Sequence, residues 1–181
     1  LAYEKELFDR QVVTSKKEIR DRLLSSGKKN TWRLLQSIAY GSRMKDAEMA
    51  PGFADFVSAA RKHRFKLSIV SHKSTLSNLT NKGINLRKAA IAWMENNRFF
   101  SQLGFEHKDI FFETTRQAKV RRIGKLNCTH FIDDLEETFL EKSFPKTVEK
   151  FLYDPHQWYS PSSELRIVKH WGEIYEYFFK T

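Results

Sequence analysis

Cysteine is nearly missing from this chain: Cys128 is the only one among 181 residues. A single thiol forms neither an internal disulfide nor a cysteine-rich zinc site, which agrees with a reducing compartment. Long apolar runs are missing too, since no stretch approaches the roughly 18 uninterrupted apolar residues of a membrane span. The N-terminus, rich in Glu and Lys, has no signal-peptide apolar region. The sequence also contains no internal repeat, no low-complexity tract and no recognisable nucleic-acid motif. These shortages lead to the expectation of a soluble, cytoplasmic protein without a membrane partner.

What is present points to one domain of ordinary size, because 181 residues with 40% hydrophobic content can bury a substantial core. The formal net charge is +10. Clustered lysines and arginines gain affinity for nucleic acid by releasing counterions from phosphates. Here they fall in scattered groups (Lys16-Lys17, Lys28-Lys29, Arg61 to Lys66, Arg116 to Lys125), mostly on apparent helix surfaces, where solvated faces explain them. The charge therefore supports nucleic acid only weakly, and suits a phosphate-bearing small molecule or nucleotide better.

The periodicity predicts a helical start followed by alternating strands and helices. Residues 17–24 and 32–39 read as a helical hairpin about Ser25-Ser26-Gly27, and Pro51-Gly52 opens a helix with Phe53, Phe56, Val57 and Ala60 on one face. Residues 65–71 form a short apolar strand. A helix is expected over 86–103, stopping at Gly104, then a strand over 109–113 and a helix capped by Thr114-Thr115 that ends at Gly124. Strands follow at 129–133 and 148–153, and a closing helix presents Leu165, Val168, Trp171, Tyr175 and Phe178. Such alternation predicts an α/β fold, a three-layer Rossmann-like parallel sheet with helices on both faces and right-handed crossovers. Residues 1–50 are expected to form a small helical region and 51–181 the α/β core.

Ligands of such sheets bind beyond the carboxyl ends of the strands, and those ends carry Ser71, Thr114, Asp133, Asp134 and Asp154. The stretch Thr129-His-Phe-Ile-Asp-Asp-Leu-Glu-Glu-Thr-Phe139 is the most informative. An apolar run delivers Asp133 and Asp134, then Glu136 and Glu137 within a turn. Adjacent carboxylates repel and are costly to desolvate, so a hard, oxygen-seeking ion such as Mg²⁺ is a natural companion. An ordinary acidic helix start is the plainer alternative. His72 and Lys73 follow Ser71 and could touch a phosphate, or be solvated loop residues, whereas His130 reads as structural. The abundant Phe and Trp fall at helical spacing, which marks core positions more often than base-stacking platforms.

In order and placement these residues resemble the haloacid dehalogenase-like superfamily of phosphohydrolases, over roughly residues 50–155, and the resemblance implies that the helical region 1–50 is a small cap-like insertion over the site. An apolar strand ending in Ser or Thr is matched by Ile69-Val70-Ser71. A lysine early in a later helix is matched by Lys119, with Lys125 as a rival, and the acidic pair after a strand by Phe131-Ile132-Asp133-Asp134, with Glu137 as the following acid. The resemblance implies phosphoryl transfer through an aspartyl-phosphate, with Mg²⁺ neutralising phosphate oxygens. It implies that Ser71 donates to a phosphoryl oxygen and that Lys119 pairs with the nucleophile and the transferring group. Asp133, Asp134 and Glu137 would hold the metal, directly or through water. The family's first motif, a strand ending in Asp-x-Asp, is absent from the sequence. Asp9 and Asp154 are poor substitutes, since neither has an acid two residues later. The nucleophile is accordingly expected upstream of Leu1, on a central strand of the sheet. The alternative expectation is a non-catalytic basic binding module of the same fold, for nucleic acid or an acidic partner.

Overall fold

A computed structural model describes residues 16–73, 76–77, 84–161 and 164–180. In chain order come α1 (Lys16–Ser25), α2 (Lys29–Ser37), α3 (Phe53–Lys62), β1 (Ile69–His72), β2 (Leu76–Ser77), β3 (Ile84–Asn85) and α4 (Leu86–Asn96). There follow β4 (Ile110–Glu113), α5 (Arg116–Lys125), β5 (His130–Asp133), α6 (Glu136–Phe139), β6 (Glu149–Tyr153), β7 (Arg166–Val168) and α7 (Trp171–Phe179). The fold is mixed α/β, with two small parallel sheets, β1-β4 and β5-β6-β7, and an antiparallel pair, β2-β3.

The chain divides into two compact units, Leu1–Ala47 with Ser74–Met94, and Glu48–Lys73 with Glu95–Thr181. In the first, α1 and α2 make the predicted hairpin. Leu23 and Leu35 are buried between them, flanked by Ile19 and Trp32. The turn is closed by Lys28 N–H donating to the Leu23 carbonyl at 2.7 Å. Helix α2 runs on into a π-helical turn at Ile38–Ser42, and the Trp93 indole N–H donates to the Ala47 carbonyl at 2.7 Å. Residues 74–94 thus group with the N-terminal helices and not with the parallel sheets.

The second unit contains both parallel sheets. Its main core gathers Val70 of β1, Val120 and Ile123 of α5, Phe131 of β5 and Leu152 of β6, with Phe139, Phe144, Val148 and Leu165. A separate aromatic layer joins α3 to α7: Phe56 packs against Trp171, Phe178 and Phe179 at centroid distances of 5.2–5.8 Å. Gly52, with φ 81°, starts α3 where a Cβ would lie 3.2 Å from that of Trp171, so the Pro-Gly opening serves packing as well as backbone geometry.

Several boundaries differ from the periodic reading. The first strand begins at Ile69 and not at 65. Helix α4 ends at Asn96, where a second asparagine, Asn97, and Arg98, left-handed at φ 61°, break it; Phe99 and Leu103 are buried from turns and not from a helix. The expected closing helix starts at Trp171, capped by His170, whose Nδ1 accepts from Glu173 N–H at 3.3 Å. Leu165 and Val168 belong instead to β7 and its approach, which pairs with β6 in parallel register, Leu152 opposite Ile167. Helix α5 continues through Gly124 to Lys125. Among the described residues no helix is long and apolar enough to cross a membrane.

Phe151 is fully buried in the middle strand of the larger sheet, whereas Leu140 is 64% exposed. Phe151→Ala should cost about 3–5 kcal/mol in urea unfolding, and Leu140→Ala should stay within about 0.5 kcal/mol of wild type.

Candidate functional site

Strand β5 is buried on alternate residues and delivers Asp133, 7% exposed, at its C-terminal end. A carboxylate so placed requires compensation, and α5 supplies it. Thr115 caps that helix, its Oγ1 accepting from Ala118 N–H at 3.0 Å. Val120 and Ile123 lock the helix face into the core with no exposure, which carries the adjacent Lys119 inward to 8% exposure. The Lys119 ammonium donates to Asp133 Oδ2 and lies 5.3 Å from the Phe131 ring centroid. Asp133 Oδ1 accepts the Leu135 amide at 3.2 Å. Lys125, by contrast, ends the helix exposed to solvent.

The remaining residues singled out in the sequence surround this pair unequally. Ser71 and His72 close β1 opposite Phe112 and Glu113. His72 Nε2 sits 3.0 Å from the Thr114 carbonyl, a donating geometry when that nitrogen carries the proton. Although the residue is exposed overall, partial burial of its ring holds its pKa below the ordinary value near 6.5, against the pull of the Thr114 carbonyl; the positive charges of Lys119 and Arg116 lower it further. His72 is thus a neutral imidazole near the Lys119 cation at neutral pH. Lys73 extends the strand, its amide donating to the Glu113 carbonyl at 2.9 Å.

Asp134 follows Asp133 but faces solvent, and Glu137 is half-buried in the first turn of α6. Both act on Tyr159. Burial raises the phenol first, and the charges of Glu137, Glu136 and Asp134 add to it. Asp154 is 2% exposed and holds a loop: its Oδ1 accepts Trp158 N–H at 3.0 Å and its Oδ2 accepts Tyr159 N–H at 2.9 Å. Its lone pairs are therefore directed into the protein. Sequence reasoning placed Arg116 only within the basic group Arg116 to Lys125 and did not name Tyr159; the position of Arg116, directly after the Thr115 cap, was the available signal for the first.

Among the described residues no group of three or more His, Cys, Asp or Glu side chains is gathered as a metal cage. What the arrangement offers is a buried cation hydrogen-bonded to a carboxylate, an exposed carboxylate next to it in the chain, and a strand-end imidazole within the electrostatic reach of that cation, preceded by the Ser71 hydroxyl. No family model matches the chain, and no curated protein or solved structure was found to be similar to it.

Two outcomes follow from the pair and from the histidine. Lys119→Met should destabilise the protein by about 3–5 kcal/mol by leaving Asp133 buried and unpaired, and adding Asp133→Leu should recover most of that loss; denaturant unfolding of the singles and the double measures it. For His72 the folded pKa is below the unfolded one, so its contribution to stability is present above pH ~6.5 and is lost as pH falls through that value toward the folded pKa. An NMR titration should place the His72 midpoint below 6.5, and a midpoint at or above it would contradict the site's electrostatics.

Proposed function

We propose that the protein is a Mg²⁺-dependent phosphatase-like hydrolase of the haloacid dehalogenase-like superfamily, acting on a phosphate ester through an aspartyl-phosphate. In this reading the two parallel sheets belong to one three-layer Rossmann-like sheet. The observation that carries it is the buried Lys119–Asp133 pair at the end of β5, beside the exposed Asp134 and within electrostatic reach of the end of β1. Among the described residues β1 pairs only with β4, and β5 only with β6. A strand bearing the two aspartates of the absent motif would pair with both free edges and bring its nucleophile toward Lys119.

The residues then divide the work. The Ser71 hydroxyl donates to a phosphoryl oxygen, and the Lys119 ammonium, already held by Asp133, turns its remaining donors to the nucleophile and the transferring group. A neutral His72 can donate without adding charge, and Lys73 attracts the anion. The hard oxygens of Asp133 and Asp134 suit Mg²⁺, which uses one or two protein carboxylates and completes its shell with water and phosphate, so a full protein cage is not required. Bound there, with Glu137 acting through water, the ion would neutralise charge on the phosphate oxygens.

The lack of an Asp-x-Asp in the sequence favours a second reading, a non-catalytic basic module for nucleic acid or an acidic partner. Phosphate release from an aryl phosphate by the full-length protein separates the two. The hydrolase reading expects Mg²⁺-dependent release that falls on the order of 10²-fold or more in Asp134→Asn. No release across a broad phosphate-ester panel, together with steeply salt-dependent binding to a polyanion, would favour the module.

A further inference from the structure

The loop after β6 is built to hold an aromatic surface. Asp154 donates its own amide to the Val168 carbonyl at 2.7 Å and accepts two amides of the loop on its carboxylate, from Trp158 and Tyr159. Gln157 N–H donates to the Asp154 carbonyl at 3.2 Å, and Gln157 is left-handed at φ 56°. A buried carboxylate thus fixes the backbone of Trp158, yet its side chain is 47% exposed. The His156 ring stacks on it, centroids 4.5 Å apart at 24°. The exposed rings of Phe65 and Tyr177 belong to the layer with α7, whereas among the described residues only His156 stacks on Trp158.

This loop adjoins the candidate site. The Tyr159 phenol meets the Glu136 backbone and lies within reach of the charges of Glu137 and Asp134. In the sheet Asp133 lies opposite Leu152, two residues before Asp154. Trp158 directly precedes Tyr159, so its exposed ring is carried on the same loop as the phenol that meets the Glu136 backbone.

We infer that Trp158, braced by His156, is a stacking platform for the base of a 5′-nucleotide whose phosphate occupies the site formed by Ser71, Lys119 and Asp134. The inference rests on the phosphohydrolase reading and names its substrate class. Stacking on an aromatic ring contributes about 1–3 kcal/mol per base and tolerates any base, because every base has a π-face. The net charge of +10 favours the phosphate.

The test is equilibrium binding of AMP and of ribose 5-phosphate to the full-length protein, with Ca²⁺ replacing Mg²⁺ to hold back turnover. The platform predicts that AMP binds about 5- to 150-fold more tightly. Trp158→Ala should collapse that ratio to near one, and Trp158→Phe should retain most of it. Equal affinities in wild type, or a ratio unmoved by Trp158→Ala, overturn the platform while ribose 5-phosphate binding keeps the phosphate site. Binding of neither ligand overturns both.

Discussion

Lys119 and Asp133 are buried charges on successive elements, a helix and the strand that follows it, and neither could be buried without the other. A lone ammonium or carboxylate in that position would carry a desolvation cost that only the opposite charge and further hydrogen bonds can offset. The pair therefore ties the first turns of α5 to the C-terminal end of β5. Val120 and Ile123 press the same helix face into the core that holds Val70, Phe131 and Leu152. Because Lys119 cannot leave, the end of β5 has a fixed cation, and its charge adds to the burial that holds the pKa of His72 down.

Two buried acids end neighbouring strands of the larger sheet and are used in opposite ways. Asp133 directs one oxygen to a cation and the other to the Leu135 amide, next to an acid that remains in solvent. Asp154 directs both oxygens to loop amides. The first arrangement retains chemistry that a ligand could exploit, since the ammonium has further protons to donate. The second is complete within the protein, and its work is to shape the loop that carries Trp158.

Much of this was legible in the residues. Lys119 stands immediately before Val120 and four before Ile123, on the face the helix must bury, while Lys125 lies two beyond it at the exposed end. The strand ending in Asp133-Asp134 was marked by its apolar run. Strand β7 was not legible, because Leu165, Val168 and Trp171 also satisfy helical spacing and three residues are too few to reveal a period of two. The early end of α4 depended on Arg98 entering the left-handed region, which apolar spacing does not report. Trp158 escaped notice for a different reason. Its exposure is set by the carboxylate of Asp154, and an Asp-Pro sequence signals a turn without showing where the side chains beyond it will face.

The central claim is that the ends of β1 and β5 form one phosphate site organised by Lys119. A crystal structure of the full-length protein with Mg²⁺ and tungstate, located by its anomalous signal, tests it most directly. The account predicts the anion within hydrogen-bonding distance of Ser71 Oγ and Lys119 Nζ, with the metal on the Asp134 side. An anion bound elsewhere on the basic surface, with Lys119 still turned wholly to Asp133, would contradict it.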